Sequence, residues 1–108
     1  YTPILYFGLD QYEVTEEMME TIKYYADLLK SNPNLNATLK GHTDERGSSA
    51  YNLALGERRA YAVRDAFVSL GIMSDRLLAT SYGEEEPAVA ESNENAWAQN
   101  RRVEIIIK

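Results

Sequence analysis

The chain of 108 residues has no cysteine, one histidine, one tryptophan and three prolines. Without cysteine there are no disulfides and no thiolate metal site, and either redox compartment is compatible. A zinc centre needs three or four ligands, so His42-Thr43-Asp44 with its single histidine does not read as a metal site. The same histidine near several serines is no basis for a serine triad. No stretch of about 18 apolar residues is present, so nothing is expected to span a bilayer. The opening Tyr1-Thr2-Pro3 lacks a charged n-region followed by an apolar h-region, which suggests an excised domain or a mature chain. Basic residues are also few: 11 Lys and Arg against 17 Asp and Glu leave a formal charge of −6. That is the wrong sign for gripping a phosphate backbone or an anionic leaflet, which disfavours nucleic acid and membrane surface as partners. Gly41, Gly47 and Gly56 lack the lysine that completes a phosphate loop, and no cofactor is expected.

What is present is enough for one domain over residues 1–108, with 44% hydrophobic residues around a single core. Ile4-Leu5-Tyr6-Phe7 is apolar, rich in strand formers and stopped by Gly8, which predicts a strand. Thr15 is placed to cap a helix whose first turn holds Glu16 and Glu17, and Met18, Ile22, Tyr25, Ala26 and Leu29 recur at helical spacing. Asn32-Pro33-Asn34 ends that pattern. Leu35, Ala37 and Leu39 then alternate with polar residues into Gly41, predicting a second strand that delivers His42-Thr43-Asp44 at its end. After a polar turn, a second helix is predicted from about Ala50 to Leu70, closed by Gly71. Leu77–Tyr82 predicts a third strand, Gly83–Asn95 an acidic loop, Trp97 a brief helical turn and core anchor, and Arg102–Ile107 a last strand. The order βαβαββ predicts an α+β fold: a two-layer sandwich with the helices packed on one face of a small mixed four-stranded sheet.

One residue breaks the pattern. On a wheel of roughly 100° per residue, Gly56, Ala60, Val63, Phe67 and Leu70 form one stripe, with Asn52 inside it and Arg59 roughly 40° from Val63. Arg58 points to the far side, into water. An arginine left dry and unpaired at a core margin is prohibitively costly, so Arg59 needs a carboxylate or a wet cleft, and Asp44 is the nearest candidate. Two readings stay open here. Asp44 and Arg59 form a structural pair of uncertain net value, or they flank a pocket in which guanidinium takes a carboxylate and aspartate an ammonium. The second reading describes a site for a zwitterionic α-amino acid head group.

Gly41-His42-Thr43-Asp44-Glu45-Arg46-Gly47, Tyr51-Asn52-Leu53-Ala54-Leu55-Gly56-Glu57-Arg58-Arg59-Ala60, Ser81-Tyr82-Gly83-Glu84-Glu85 and Asn100-Arg101-Arg102-Val103-Glu104 follow one another in an order that resembles the OmpA-like peptidoglycan-binding domain. The resemblance extends from Tyr6-Phe7-Gly8 to the last strand and is greatest to the peptidoglycan-associated lipoprotein (Pal) branch. It implies a periplasmic domain, tied to the outer membrane through an upstream segment, that binds the meso-diaminopimelate of peptide stems without covalent attachment. It implies no catalysis, and it places Asp44 and Arg59 on that ligand, with Leu9, Asp10, Gln11, Thr43, Asn52 and Leu55 around them. Arg101 or Arg102 is implied at the rim. Leu9 departs from the pattern, standing where relatives often carry an aromatic ring. Peptidoglycan is the implied ligand and Tol-system proteins such as TolB the implied protein partners, met through Gly83-Glu84-Glu85-Glu86. The tail of an outer-membrane barrel, a flagellar stator domain and a wall hydrolase are the competing readings, the last prompted by the adjacent acids Glu84-Glu85-Glu86.

Overall fold

A computed structural model describes all residues, 1–108. Its elements are β1 (Ile4–Tyr6), α1 (Glu16–Ser31), β2 (Ala37–His42), α2 (Ser49–Ser69), a 3-10 turn at Ser74–Arg76, β3 (Leu77–Gly83), α3 (Glu94–Asn100) and β4 (Arg102–Ile107). The sheet runs in the order β1-β4-β2-β3 and is mixed: β2 and β3 are parallel, while β4 is antiparallel to both β1 and β2. The α+β sandwich expected from the pattern is therefore the architecture found.

Local chemistry sets the element ends. The Thr15 side chain accepts from the Met18 amide at 3.2 Å, and Ser48 does the same for Tyr51 at 3.0 Å, satisfying N–H groups that a helix start leaves without partners. Gly71 closes α2 at φ 97°, a left-handed conformation that suits glycine. β2 begins at Ala37, two residues later than the alternation suggests, because the Leu35 carbonyl is taken by the Arg76 guanidinium at 2.6 Å. The same guanidinium accepts no proton and donates also to the carbonyls of Leu29 and Asn32, 2.8 and 2.9 Å away, closing the end of α1.

Leu5, Phe7, Leu39, Val103 and Ile105 from the sheet, Ile22, Ala26 and Leu29 from α1, and Val63 and Phe67 from α2 form one core. Leu70, counted in the α2 stripe, is only half-buried because it is the C-terminal capping residue and has left the helical phase. α2 approaches β2 so closely that a Cβ on Gly41 would lie 1.9 Å from the Gly56 carbonyl oxygen. This backbone contact seats the first half of α2, with Asn52, Leu55 and Arg59, over the end of β2, where the chain turns at Asp44.

Candidate ligand cleft

Arg59 is 0% exposed, and it is the largest of the fully buried side chains. Its phase on the wheel is as read, but its partners are not. The guanidinium donates to three main-chain carbonyls: Gln11 at 2.7 Å, His42 at 2.9 Å and Gly8 at 3.0 Å. It makes no ion pair within 4.0 Å, so the direct Asp44–Arg59 pair is absent. Burial, followed by the charge of Arg101, lowers the Arg59 pKa to about 10, against the opposing pull of Asp44 and Asp10. The group stays charged at neutral pH. Three of its five N–H donors are engaged, which leaves two without a partner.

Asp44 is buried as well, at 4% exposure. Its Oδ1 accepts from the Arg46 amide at 3.0 Å and from Arg46 Nε at 3.3 Å; its Oδ2 accepts from Arg46 Nη2 at 2.9 Å and Arg101 Nη1 at 3.4 Å. Burial alone would raise the carboxyl pKa, but the side-chain and backbone bonds from Arg46, joined by Arg101, outweigh it and hold the group below its ordinary value. Arg46 in turn lies over the Trp97 ring, 4.1 Å from its centre. Trp97 is thus half-buried beside the cleft and stands outside the hydrophobic core, correcting its reading as a core anchor.

Leu9, Asp10, Thr43, Asp44, Asn52, Leu55 and Arg59 converge on this one cleft, together with Arg46 and Arg101. Gln11 does not line it; its carbonyl holds Arg59 from behind while its side chain lies on the opposite side, against a groove beside β1. Asp10, at φ 58°, accepts from the Tyr51 hydroxyl at 2.8 Å. Aspartate tolerates that left-handed conformation better than most side chains. Asn52 is tied to Glu84 Oε1 at 2.9 Å, so the first glutamate of the acidic loop is a wall support. Arg101 is the rim arginine; Arg102 lies on the other face of the sheet, donating to Glu104 Oε2 at 2.8 Å and to the Glu86 carbonyl at 3.0 Å. Arg46 was missed in the sequence, although its position two residues after Asp44 is the spacing of an Asx-type turn that returns a side chain to the carboxylate.

The cleft encloses only about 10 Å³, room for a single water. Beside it, sharing Asp10 and Leu55, opens a hollow of about 100 Å³ bounded by Tyr12, Tyr51, Ala54 and Arg58. Of Asp44 and the three arginines in the cleft only Arg46 is substantially exposed, with 36% of its side chain in solvent, against 5% for Asp44 and 10% for Arg101; Asp10, at the mouth, is exposed as well. Arg46 is therefore the element that can leave.

His42 contributes its carbonyl to Arg59 and nothing else to the cleft; its ring is buried on the other face of the sheet, stacked on Tyr82. Burial and then the Arg102 charge lower its pKa to about 4, with Glu104 opposing from 3.6 Å. The unfolded chain takes up this proton near pH 6.5, whereas the fold refuses it down to about 4. Stability is therefore complete above about 6.5 and declines as the pH falls toward 4, a direction to which the depressed Asp44 carboxyl adds. Urea unfolding at about pH 7 and about pH 4.5 should give a lower midpoint at the acid value, and a smaller drop in His42→Gln. Equal drops in both proteins would remove His42 as the cause.

The chain belongs to the OmpA family, whose model matches residues 6–101. Within it, the chain is similar to proteins named peptidoglycan-associated lipoprotein: 46% identical to that of Pseudomonas putida over 93% of this chain and 60% of the relative, and 42% identical to that of Haemophilus influenzae over 91% and 64%. The crystal structure of the peptidoglycan-associated lipoprotein from Burkholderia pseudomallei superposes with a TM-score of 0.96 at 40% identity, covering 99% of this chain and 91% of that one. The chain spans about 58–65% of the length of the curated relatives it matches.

Proposed function

We propose that this domain is a non-catalytic module that binds peptidoglycan through the diaminopimelate of a stem peptide. Arg59 takes the free carboxylate and Asp44 the ammonium. The observation that carries the reading is Arg59 itself, fully buried, charged, bonded only to neutral carbonyls and without a carboxylate partner. A dry cation with two unused donors in a fixed planar fork suits a carboxylate brought by a guest. Asp44 already holds Arg46, so the guest's ammonium takes that guanidinium's place and Arg46 moves outward along the Trp97 face. That exchange keeps the buried carboxylate paired throughout and makes room in a cleft that otherwise admits one water. The rest of the stem then lies in the adjoining hollow beside Tyr12 and Tyr51.

The similarity to peptidoglycan-associated lipoproteins supports the same reading at the level of the whole protein. There the domain would sit in the periplasm and tether an outer-membrane anchor, carried outside this chain, to the wall, with Tol-system proteins such as TolB as protein partners. Selectivity is the direct test. A lysine-type stem supplies the amine but no carboxylate, leaving Arg59 desolvated and unsatisfied at a cost of about 2–3 kcal/mol, or roughly 30–150-fold in affinity. Purified sacculi of the diaminopimelate type should retain the domain and lysine-type sacculi should not. Equal retention on both would refute the assignment of Arg59.

A further inference from the structure

The largest recess in the molecule lies away from the cleft. It is a groove of about 300 Å³ between β1 and the first two turns of α1. β1 ends the sheet, pairing only with β4. Phe7 donates to the Arg101 carbonyl at 2.9 Å, and Ile105 donates to the Pro3 carbonyl at 2.8 Å. In an antiparallel ladder this fixes residues 3, 5 and 7 toward β4, so Ile4 and Tyr6 aim their N–H and C=O groups out of the sheet, into the groove. Met18 and Thr21 form the opposing wall, Glu13 and Glu17 line the groove, and no lysine, arginine or histidine does.

We infer that this groove is a docking site for an extended, lysine- or arginine-bearing segment of a partner protein, which adds to the sheet as a fifth strand beside β1. The edge supplies two outward amide–carbonyl pairs, spaced two residues apart, a repeat that an extended polypeptide matches and a sugar or small ligand does not. Met18 on the helix face, and Ile4 and Tyr6 on the opposite face of the sheet, flank the two sets of alternate side chains of such a strand. The two carboxylates select its charge, since an acidic segment would meet only like charge there. The groove shares no lining residue with the ligand cleft, although the turn Gly8–Gln11 runs between them and its Gly8 and Gln11 carbonyls are held by Arg59.

With three residues in β1, the affinity should be modest, on the order of 0.1–1 mM for a short probe. The probe is an acetylated, amidated octapeptide alternating lysine and valine, titrated into the isotope-labelled domain and followed by amide NMR shifts. The expected result is saturable movement of the Ile4 and Tyr6 amides, at least tenfold weaker binding in Tyr6→Pro, and no binding by a peptide N-methylated at every residue, which has no pairing edge left. Tyr6→Pro removes an outward donor without touching the bonds to β4. If that variant unfolds, Glu13→Gln with Glu17→Gln serves instead, with weaker binding and a flatter salt dependence expected. Shifts that map elsewhere, their absence at millimolar peptide, or equal binding by the glutamate–valine counterpart or the N-methylated probe would each overturn the inference.

Discussion

Arg59→Lys loses retention on diaminopimelate-type sacculi, by about 100-fold or more, while remaining folded. The lysine preserves a positive charge in the same place but presents a point charge in place of a planar fork, and it cannot serve the Gln11, His42 and Gly8 carbonyls and a guest carboxylate together. Charged hydrogen bonds are worth about 1.5–3 kcal/mol each, and two are at stake. Alanine is the poorer probe. It would strip three buried carbonyls of their donor and open a void in a fully packed position, confusing lost binding with lost stability. Asp44→Asn should match the arginine variant in binding, because a neutral amide gives the ammonium no counter-charge. Arg46→Ala should act in the opposite direction. Removing the competitor for Asp44 forfeits an ion pair whose arginine stands in solvent and is worth little, and retention should rise about fivefold. Arg58→Ala, exposed over the Tyr12 ring, trims only the edge of the adjoining hollow and should weaken retention far less than Arg59→Lys. Co-sedimentation with sacculi measures all four, with thermal unfolding as the control for folding. A retained Arg59→Lys, or an Arg58→Ala that binds worse than Arg59→Lys, would show that the helix presents a different arginine to the ligand.

The positions of these residues were legible in the sequence to different depths, for physical reasons. Arg59 was visible because helical period is a local property: one wheel places it among Gly56, Ala60 and Val63, and all four are buried. Asp44 was visible because an alternating strand must deliver its last residues to one end of the sheet. The bonds between them were not visible. Whether Arg59 meets a carboxylate or three carbonyls depends on where the Gly8–Gln11 turn passes, and that path is set by contacts about 50 residues away in sequence. Arg46 escaped because a polar turn has no period to betray which side chain folds back. Trp97 misled for a related reason: a lone aromatic beside a strand fits a core position, and only the fold shows that its face is covered by a guanidinium. The strand boundaries slipped where a distant side chain intervened, as Arg76 does at Leu35. In this chain, local period located the elements, and long-range hydrogen bonds decided the chemistry.

The same dependence on a single close approach gives the largest expected effect on stability. Gly41→Ala places a methyl group 1.9 Å from the Gly56 carbonyl oxygen and 2.7 Å from its carbon, both main-chain atoms of a helix that cannot rotate aside. Relief requires α2 to lift from β2 by about 1 Å or more, and that movement also breaks the 2.9 Å bond from Arg59 to the His42 carbonyl. Overpacking of this kind costs about 3 kcal/mol at the upper end of its usual range, a fall in Tm of roughly 12–24 °C for a domain of this size. Gly56→Ala is the instructive contrast. Its new methyl meets the Ser81 Oγ at 2.2 Å, a hydroxyl that can turn away, and the Gly41 oxygen at 3.1 Å, a tight backbone contact that asks for a shift of only a few tenths of an ångström. Helix propensity returns up to about 1 kcal/mol at that site, so the net loss should be well below that of Gly41→Ala. Adding Ser81→Ala removes the hydroxyl and should recover most of the Gly56→Ala loss, while doing nothing for Gly41→Ala, whose obstacle is backbone. Thermal melts of the two single and two double variants decide this. If Ser81→Ala rescued both glycine variants equally, the clash at Gly41 would lie with a side chain and the helix would have more freedom over the strand than the 1.9 Å approach allows. A fixed helix is what lets Arg59 hold its fork toward the cleft before any guest arrives, so a Gly41→Ala protein that survives folding should also bind sacculi more weakly than Gly56→Ala at equal concentration of folded chain.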